Sequence, residues 1–478
     1  MKQRTLALLL AGVLALSLLG AGALAAEGDL SLPDSSVEQG AETVPQEGSA
    51  PEGEPAPAEE PVNSPDQSGA SVEARSEAQE SDEASTTSVE EYIPDPMGSI
   101  SFSNLNRRMH EGNLQILTIQ ENIDMLEEID YDNLKDTLRE SLNAIAKAQW
   151  SFVNYSSLID QMLQKDLMND YDFRRAYDQM DSAYNALRKQ YDAIKDGDMQ
   201  SDNADVVRQL KNLQNQIIMA GEATYIALAA MEIQGNGLDR QLAALDRQLT
   251  ELDLRYELGH ISSLTLHQAQ AGRTALASGL ATLRMNLDTY KGQLELLLGA
   301  DITGKISLGA LPKVTQQELD EMDLERDLET AKANSWDLYD AAETIKEEKK
   351  TYNEHGGDYR YTYKKDDRNY MQARHNWYAA KYTYDNTVQN FELGLRNLYL
   401  KVWDYKQILD AAKTALAVEQ ENYAVAQLKH SQGTLSQNGL LDAEDKLKES
   451  QEKVAGAEND LFSAYNTYRW AVDYGILN

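Results

Sequence analysis

The segment from Leu254 to Leu294 recurs 174 residues later without a gap. That offset carries Leu254 to Leu428, Gly259 to Gly433, Ile261 to Leu435, Ser262 to Ser436, Leu266 to Leu440 and Ala269 to Ala443. Further on, Leu280 falls on Val454, Leu283 on Ala457, Leu287 on Leu461 and Leu294 on Tyr468. Apolar or small residues meet their own kind throughout, so the chain holds two copies of one supersecondary unit.

Each copy is patterned as a coiled coil. Before the first glycine, Leu238, Leu242, Leu245, Leu249 and Leu252 step by alternating fours and threes. Leu276, Leu280, Leu283, Leu287, Tyr290, Leu294 and Leu297 do the same after it. The second copy returns through Leu440, Ala443, Leu447, Ser450, Val454, Ala457, Leu461, Ala464, Tyr468 and Ala471 in the same phase. Alternating threes and fours keep one apolar seam turned toward a partner helix. The second ascending arm is weaker, because Glu419 takes the slot between Leu416 and Tyr423. At ~1.5 Å per residue the arm from Ser262 to Leu298 spans roughly 55 Å, the length of a rod rather than of a globular core element.

The heptads stop where the chain must reverse. Gly259 and Gly433 supply the left-handed backbone that ends a helix, and the serine three residues later, Ser262 or Ser436, can cap the returning helix. Each copy is therefore an αα-hairpin with a glycine-serine tip. Leu258, Ile261 and Leu435 place apolar groups on exposed tips, which suits either a plain turn or a docking surface.

Of ten prolines, only Pro312 lies beyond Pro96, so little interrupts a helix in the last 380 or so residues. Pro312 sits in a turn-rich stretch, and it divides the ordered region into a first repeat at 99–301, a linker at 302–318 and a second repeat at 319–478. The expected fold is all-α: long antiparallel coiled-coil hairpins in two tandem repeats, with little or no β-barrel. Upstream, Lys2 and Arg4, the apolar run Leu6 to Leu19 and the small residues Ala23 and Ala25 form a secretory signal pattern over 1–25, with cleavage after Ala25. The alternative for the same run is an N-terminal membrane anchor. Residues 26–98 are rich in Glu, Ser, Pro and Ala and read as a disordered acidic linker, whose charges repel and whose apolar content cannot offset ordering.

Net charge of −35 argues against a nucleic-acid partner, since phosphate binding needs a basic surface. The chain has no cysteine, so neither a disulfide nor a cysteine-linked lipid is available. The six histidines show no metal-binding spacing; His260 and His267 are seven apart across a turn. Asp196 to Asp205 lacks the glycine and glutamate of a calcium loop and reads as a polar turn with helix caps. Tyr352, Tyr359, Tyr361, Tyr363, Tyr370, Tyr378, Tyr382 and Tyr384 can pack a seam or stack on cell-wall sugars. No cofactor, metal site or activated nucleophile is expected, and hence no enzyme activity.

Tyr256 to Ala269, with Gly259, Ile261, Ser262, Ser263, Leu264 and Leu266, resembles the hairpin tip of the outer membrane efflux proteins, the TolC-like family. Gly433-Thr434-Leu435-Ser436, followed by Leu440 to Ala443, resembles it too. Leu328 to Ile345, with Ala331 and Asn334, is more loosely similar to the helix that opens a repeat in that family, and Asn104 to Leu126 is its fainter counterpart. The resemblance implies a homotrimer whose hairpins form a hollow α-barrel. It also implies a passive conduit in the cell envelope that works with a periplasmic-adaptor-like protein and an inner-membrane transporter. Carried over residue by residue, it makes Leu258, Gly259, His260, Ile261 and Ser262, with Gly433, Thr434, Leu435 and Ser436, the adaptor-docking tip. One departure is plain. Members of that family carry strands for a membrane barrel, whereas here only Tyr359 to Tyr363 alternates at all, and it is too short to cross a bilayer. A barrel-less relative held to the envelope is one reading, and a non-transport coiled-coil scaffold is the other.

Overall fold

The computed structural model describes residues 94–154, 160–162, 164–165, 170–356 and 368–477. Pro94–Asn478 forms one compact unit. The signal pattern with Ala23 and Ala25, the acidic segment through residue 93, and Tyr359, Tyr361 and Tyr363 lie outside the described residues.

A two-residue strand β1 (Ser99–Ile100) leads into helices α1 (Phe102–Gly112) and α2 (Leu114–Glu127). Helices α3 (Tyr131–Asn154) and α4 (Asp170–Lys195) follow, then the first long hairpin, α5 (Asp198–Glu257) and α6 (Ser263–Leu297). The connection to the second repeat holds β2 (Ser307–Leu308) and α7 (Gln316–Asp320). The second repeat comprises α8 (Leu324–Asn334), α9 (Trp336–Glu354), α10 (Arg368–Ser431) and α11 (Gln437–Tyr474). The all-α expectation with two tandem hairpins stands. Among the described residues the only strands are β1 and β2, which pair in parallel with Ser99 opposite Ser307 and Ile100 opposite Leu308.

The heptad residues form the seams. Leu280 and Leu294 of α6 are buried against α5, and Ala457, Leu461, Ala464, Tyr468 and Ala471 of α11 are buried, most of them against α10. Glu419 does not interrupt the α10 side. Val402, Tyr405, Leu409, Ala412, Leu416, Tyr423 and Ala426 continue the alternation around it, all buried or half-buried, and Asn422 donates to its carboxylate at 3.3 Å. The hairpins lie side by side through α5 and α11, giving a helix layer in the order α6, α5, α11, α10.

Away from the tips the layer thickens. Ile100, Leu105, Met109, Ile116, Ile119 and Ile123 pack on Ile217, Ile218, Tyr225 and Leu228 of α5. In the second repeat Leu328, Ala331 and Leu338 pack on Phe391, Leu395 and Tyr468. The Tyr225 hydroxyl lies 2.8 Å from Gly309 O and 3.1 Å from Ile100 O, so one buried phenol holds both short strands.

Two helix breaks, at Asn113 and Ser335, are absent from the sequence expectation because no proline marks them. At Asn113 the side-chain Oδ1 accepts from Gln115 N (2.9 Å) and Ile116 N (3.1 Å), capping α2 just as α1 ends. Ser335 likewise caps α9 by accepting from Leu338 N at 3.4 Å. The carboxyl end of each returning helix is seated at the break. A Cβ on Gly299 would lie 1.9 Å from Gly112 O, and one on Gly475 would lie 2.4 Å from Ser335 N.

The first repeat also carries an arm with no counterpart of its length in the second. Helices α3 and α4 pack on each other and meet α5 near their shared base. There Asn203 donates to Tyr131 OH at 2.6 Å and Gln200 donates to Ile194 O at 3.0 Å. Gly197 (φ 83°) turns the chain from α4 into α5, whose first turns hold Asp198 to Asp205.

Candidate functional site at the hairpin tips

The two tips are copies in bonding as well as in sequence. In the first, Gly259 N donates to Tyr256 O (2.9 Å) and His260 N to Arg255 O (2.8 Å). In the second, Gly433 N donates to His430 O (2.9 Å) and Thr434 N to Lys429 O (2.9 Å). These paired bonds across a glycine at φ 73° are those of a Schellman closure, which satisfies the last carbonyls of the outgoing helix. The returning helix is then capped: Ser262 Oγ accepts from Thr265 N at 3.2 Å and Ser436 Oγ accepts from Gly439 N at 3.1 Å. Each of these closing and capping bonds maps onto its counterpart by the same 174-residue offset.

The expected tip residues all lie at the helix reversals. Leu258, Gly259, His260 and Ser262 are exposed and Ile261 is half-buried; Gly433, Thr434 and Ser436 are exposed and Leu435 is half-buried. Leu258, at 61% exposure, is one of four exposed large apolar side chains on the first tip, with Leu254, Tyr256 and Leu264. The second tip is more polar: Thr434 Oγ1 donates to Lys429 O (2.9 Å), and a His430 ring nitrogen lies 3.0 Å from Leu435 O. Among the described residues no hydrogen bond or ion pair joins one tip to the other.

What holds the hairpins together is a ladder behind the tips, between α5 and α11. Arg240 makes a two-pronged contact with Glu452 (3.0–3.2 Å), and Arg247 pairs with Asp445. Farther from the tips, buried Glu222 accepts from Trp470 Nε1 at 2.6 Å and Asn466 Nδ2 at 2.8 Å. Burial raises the Glu222 pKa, and these two donors oppose the rise. The ladder keeps one register along its length, so the hairpins are fixed in axial position as well as in contact.

Sequence reasoning missed a second set of residues, on the outer edges of the layer. On α6, Leu264, Ala271, Ala275, Thr282, Met285 and Leu296 are exposed at spacings built from threes and fours, on the side away from the buried seam. On α10, Leu393, Leu400, Ala411, Ala415, Val418 and Val425 form a comparable exposed stripe. Met285 is 62% and Leu400 63% exposed, so these are open faces. The signal was present in the heptad phase, but a second stripe is recognisable only once the first has been assigned to the partner helix.

Among the described residues no group of three or more histidine or acidic side chains is placed to hold a metal ion.

No family model matches the chain, and no curated protein matches it. Among solved structures it is similar to the CmeC outer membrane channel of Campylobacter jejuni at 15% identity, over 61% of this chain and 68% of that one (TM-score 0.42). The outer membrane protein VceC of Vibrio cholerae is similar at 14% identity, over 57% of this chain and 74% of that one (TM-score 0.41). The outer-membrane channel OprN is similar at 13% identity, over 78% and 90% (TM-score 0.46). Two of the three are named as outer membrane channels and the third as an outer membrane protein.

Proposed function

We propose that this chain is an export-duct component of the cell envelope that assembles into a ring, conducts passively and docks a partner through its hairpin tips. The observation that carries the reading is the pair of exposed heptad stripes on α6 and α10. A layer of helices with exposed leucine, methionine, valine and alanine side chains along each edge can cover both edges by pairing one edge with the other edge of the next copy. Such head-to-tail contacts close into a ring when the rotation per copy divides a full turn. The trimer implied by the tip motifs would enclose twelve long helices about a lumen, with all tips at one end. The tips then present Leu258, Ile261 and Leu435 as the apolar contacts for an adaptor-type helical partner, in the TolC-like manner.

Under this reading the chain is a passive conduit, and no covalent chemistry is assigned to it. The test uses the absence of native cysteine. Light scattering on the purified chain should give a trimer, and His260→Cys or Thr434→Cys should cross-link to a co-expressed adaptor-type protein. A strictly monomeric chain whose tip cysteines capture no such protein overturns the duct and leaves the scaffold reading.

A further inference from the structure

Near the end of the second repeat opposite its tip, α9 and α10 hold a cluster that the duct does not use. The Trp377 ring stacks on Tyr352 with centroids 5.3 Å apart and planes 19° apart. The Lys381 ammonium sits 3.7 Å from the Trp377 centroid, and Lys349 Nζ is 6.0 Å from it. Trp377 Nε1 is buried and has no hydrogen-bond partner, which is costly for an indole N–H. No carboxylate pairs with Lys349 or Lys381 among the described residues, in a chain with 79 acidic side chains against 44 basic ones. Both lysines thus lie within 6.0 Å of one indole ring, with no carboxylate to pair with among the described residues. Beside them Tyr378 and Tyr382, one helical turn apart, are 43% and 69% exposed, and Lys381 also lies 5.4 Å from the Tyr378 ring.

We propose that this cluster is a binding site for an acidic polysaccharide. A carboxylate or phosphate on the glycan accepts from Lys349 and Lys381, and sugar rings lie on the faces of Tyr378 and Tyr382. Free anion alone would leave the tyrosines unused. A lipid surface is disfavoured by the surroundings: no leucine, isoleucine, valine, methionine or phenylalanine between Arg368 and Asn390 is exposed, so nothing there would insert among acyl chains. The Tyr352–Tyr370 hydroxyl contact (3.0 Å) beneath the cluster anchors the platform to both helices. The inference does not depend on the duct reading, since it uses none of the tip or edge residues.

The full chain is titrated with polygalacturonate, neutral dextran, inorganic phosphate and phosphatidylglycerol vesicles, by tryptophan fluorescence and affinity electrophoresis. The acidic protein repels a polyanion overall, so saturable binding of polygalacturonate requires a local site. Polygalacturonate is expected to bind and dextran is not. The pair K349Q/K381Q should weaken binding by roughly tenfold or more, with an unchanged circular dichroism melt. Y378A/Y382A should weaken the glycan while leaving phosphate quenching intact, and W377F should abolish the fluorescence change. Equal binding by K349Q/K381Q and the parent chain overturns the proposal. So does equal retardation by dextran, or vesicle binding without polygalacturonate binding. If W377F fails to fold, the lysine and tyrosine variants still decide the matter.

Discussion

Asn113 donates from Nδ2 to the carbonyl oxygen of Leu297, 184 residues along the chain, at 2.8 Å. Its partner in the second repeat is Asn334, which donates to Asp473 O (3.0 Å) and Val472 O (3.3 Å). Each repeat thus closes on itself the same way, with an asparagine at the break in its opening helix holding the last carbonyls of its returning helix. The two asparagines differ in one respect. Asn113 also caps α2, whereas in the second repeat the cap has passed to Ser335.

Asn113→Ala should therefore cost more than Asn334→Ala. The first removes a cap and a part-buried long-range bond, about 2 kcal/mol together; the second removes only the long-range bonds, about 1 kcal/mol. Urea unfolding of the two variants measures the difference. Equal losses would mean that the capping half of Asn113 contributes nothing.

The glycines at these closures and at the tips share positive φ but not their surroundings. Gly475 (φ 65°) is pressed against the Asn334–Ser335 backbone, while a Cβ on Gly433 (φ 73°) would meet nothing within 4 Å. Gly433→Ala should cost only the left-handed strain, about 1–2 kcal/mol, and leave the fold intact. Gly475→Ala adds an overlap with backbone that cannot swing aside, and it should lower the thermal midpoint by at least twice as much. A Gly475→Ala chain as stable as Gly433→Ala would show that the seat is loose.

The long seams and both tips were legible in the sequence because a heptad and an ungapped repeat are local, periodic signals. Other features were not, each for a physical reason. The strand pair β1–β2 is two residues long, below any periodicity, and Tyr225 fixes it from 125 residues beyond Ile100. The break at Asn113 is marked by no proline or glycine cluster, and a single asparagine does not by itself distinguish a cap from an exposed helix position. The arm of α3 and α4 ends at the polar turn that the sequence marks from Asp196. That it meets the rest mainly at its base is a property of packing alone.

Glu295 makes the connection between repeats sensitive to acid. Its carboxylate accepts from the backbone N–H groups of Thr303, Gly304 (2.6 Å), Lys305 (3.1 Å) and Ile306 (3.1 Å) and from Thr303 Oγ1 (2.7 Å). Burial alone would raise its pKa, but these donors outweigh it and hold the group at about 2. A folded value below the unfolded one means stability fully present above about pH 4.5 and lost as pH falls toward 2, about 3 kcal/mol in all. Glu222, raised by burial, has the opposite sign: its contribution is present below its unfolded pKa and fades as pH rises through its folded value. Glu295→Gln should flatten the acid side of the stability profile and lower stability at pH 7, because an amide nitrogen would face N–H donors. Unfolding free energies at pH 3, 5 and 7 read this directly, and an unchanged slope between pH 5 and 3 would rule it out.

The edge stripes make the most specific prediction about assembly. Leu400→Glu with Val418→Glu puts charge on exposed positions of α10, and Met285→Glu does the same on α6. Each variant should keep the folding stability of its protomer within about 0.5 kcal/mol, since no buried contact changes. Each should also run as a monomer in light scattering. Gln420→Glu, exposed on another face of α10, adds the same charge and should leave assembly intact. If the α10 edge of one copy meets the α6 edge of the next, a mixture of the two edge variants retains one complementary pair of intact edges. That mixture should form a heterodimer that grows no further. An interface of each edge with itself predicts two separate homodimers instead, one from each variant alone, and so a dimer in either unmixed sample excludes the head-to-tail ring.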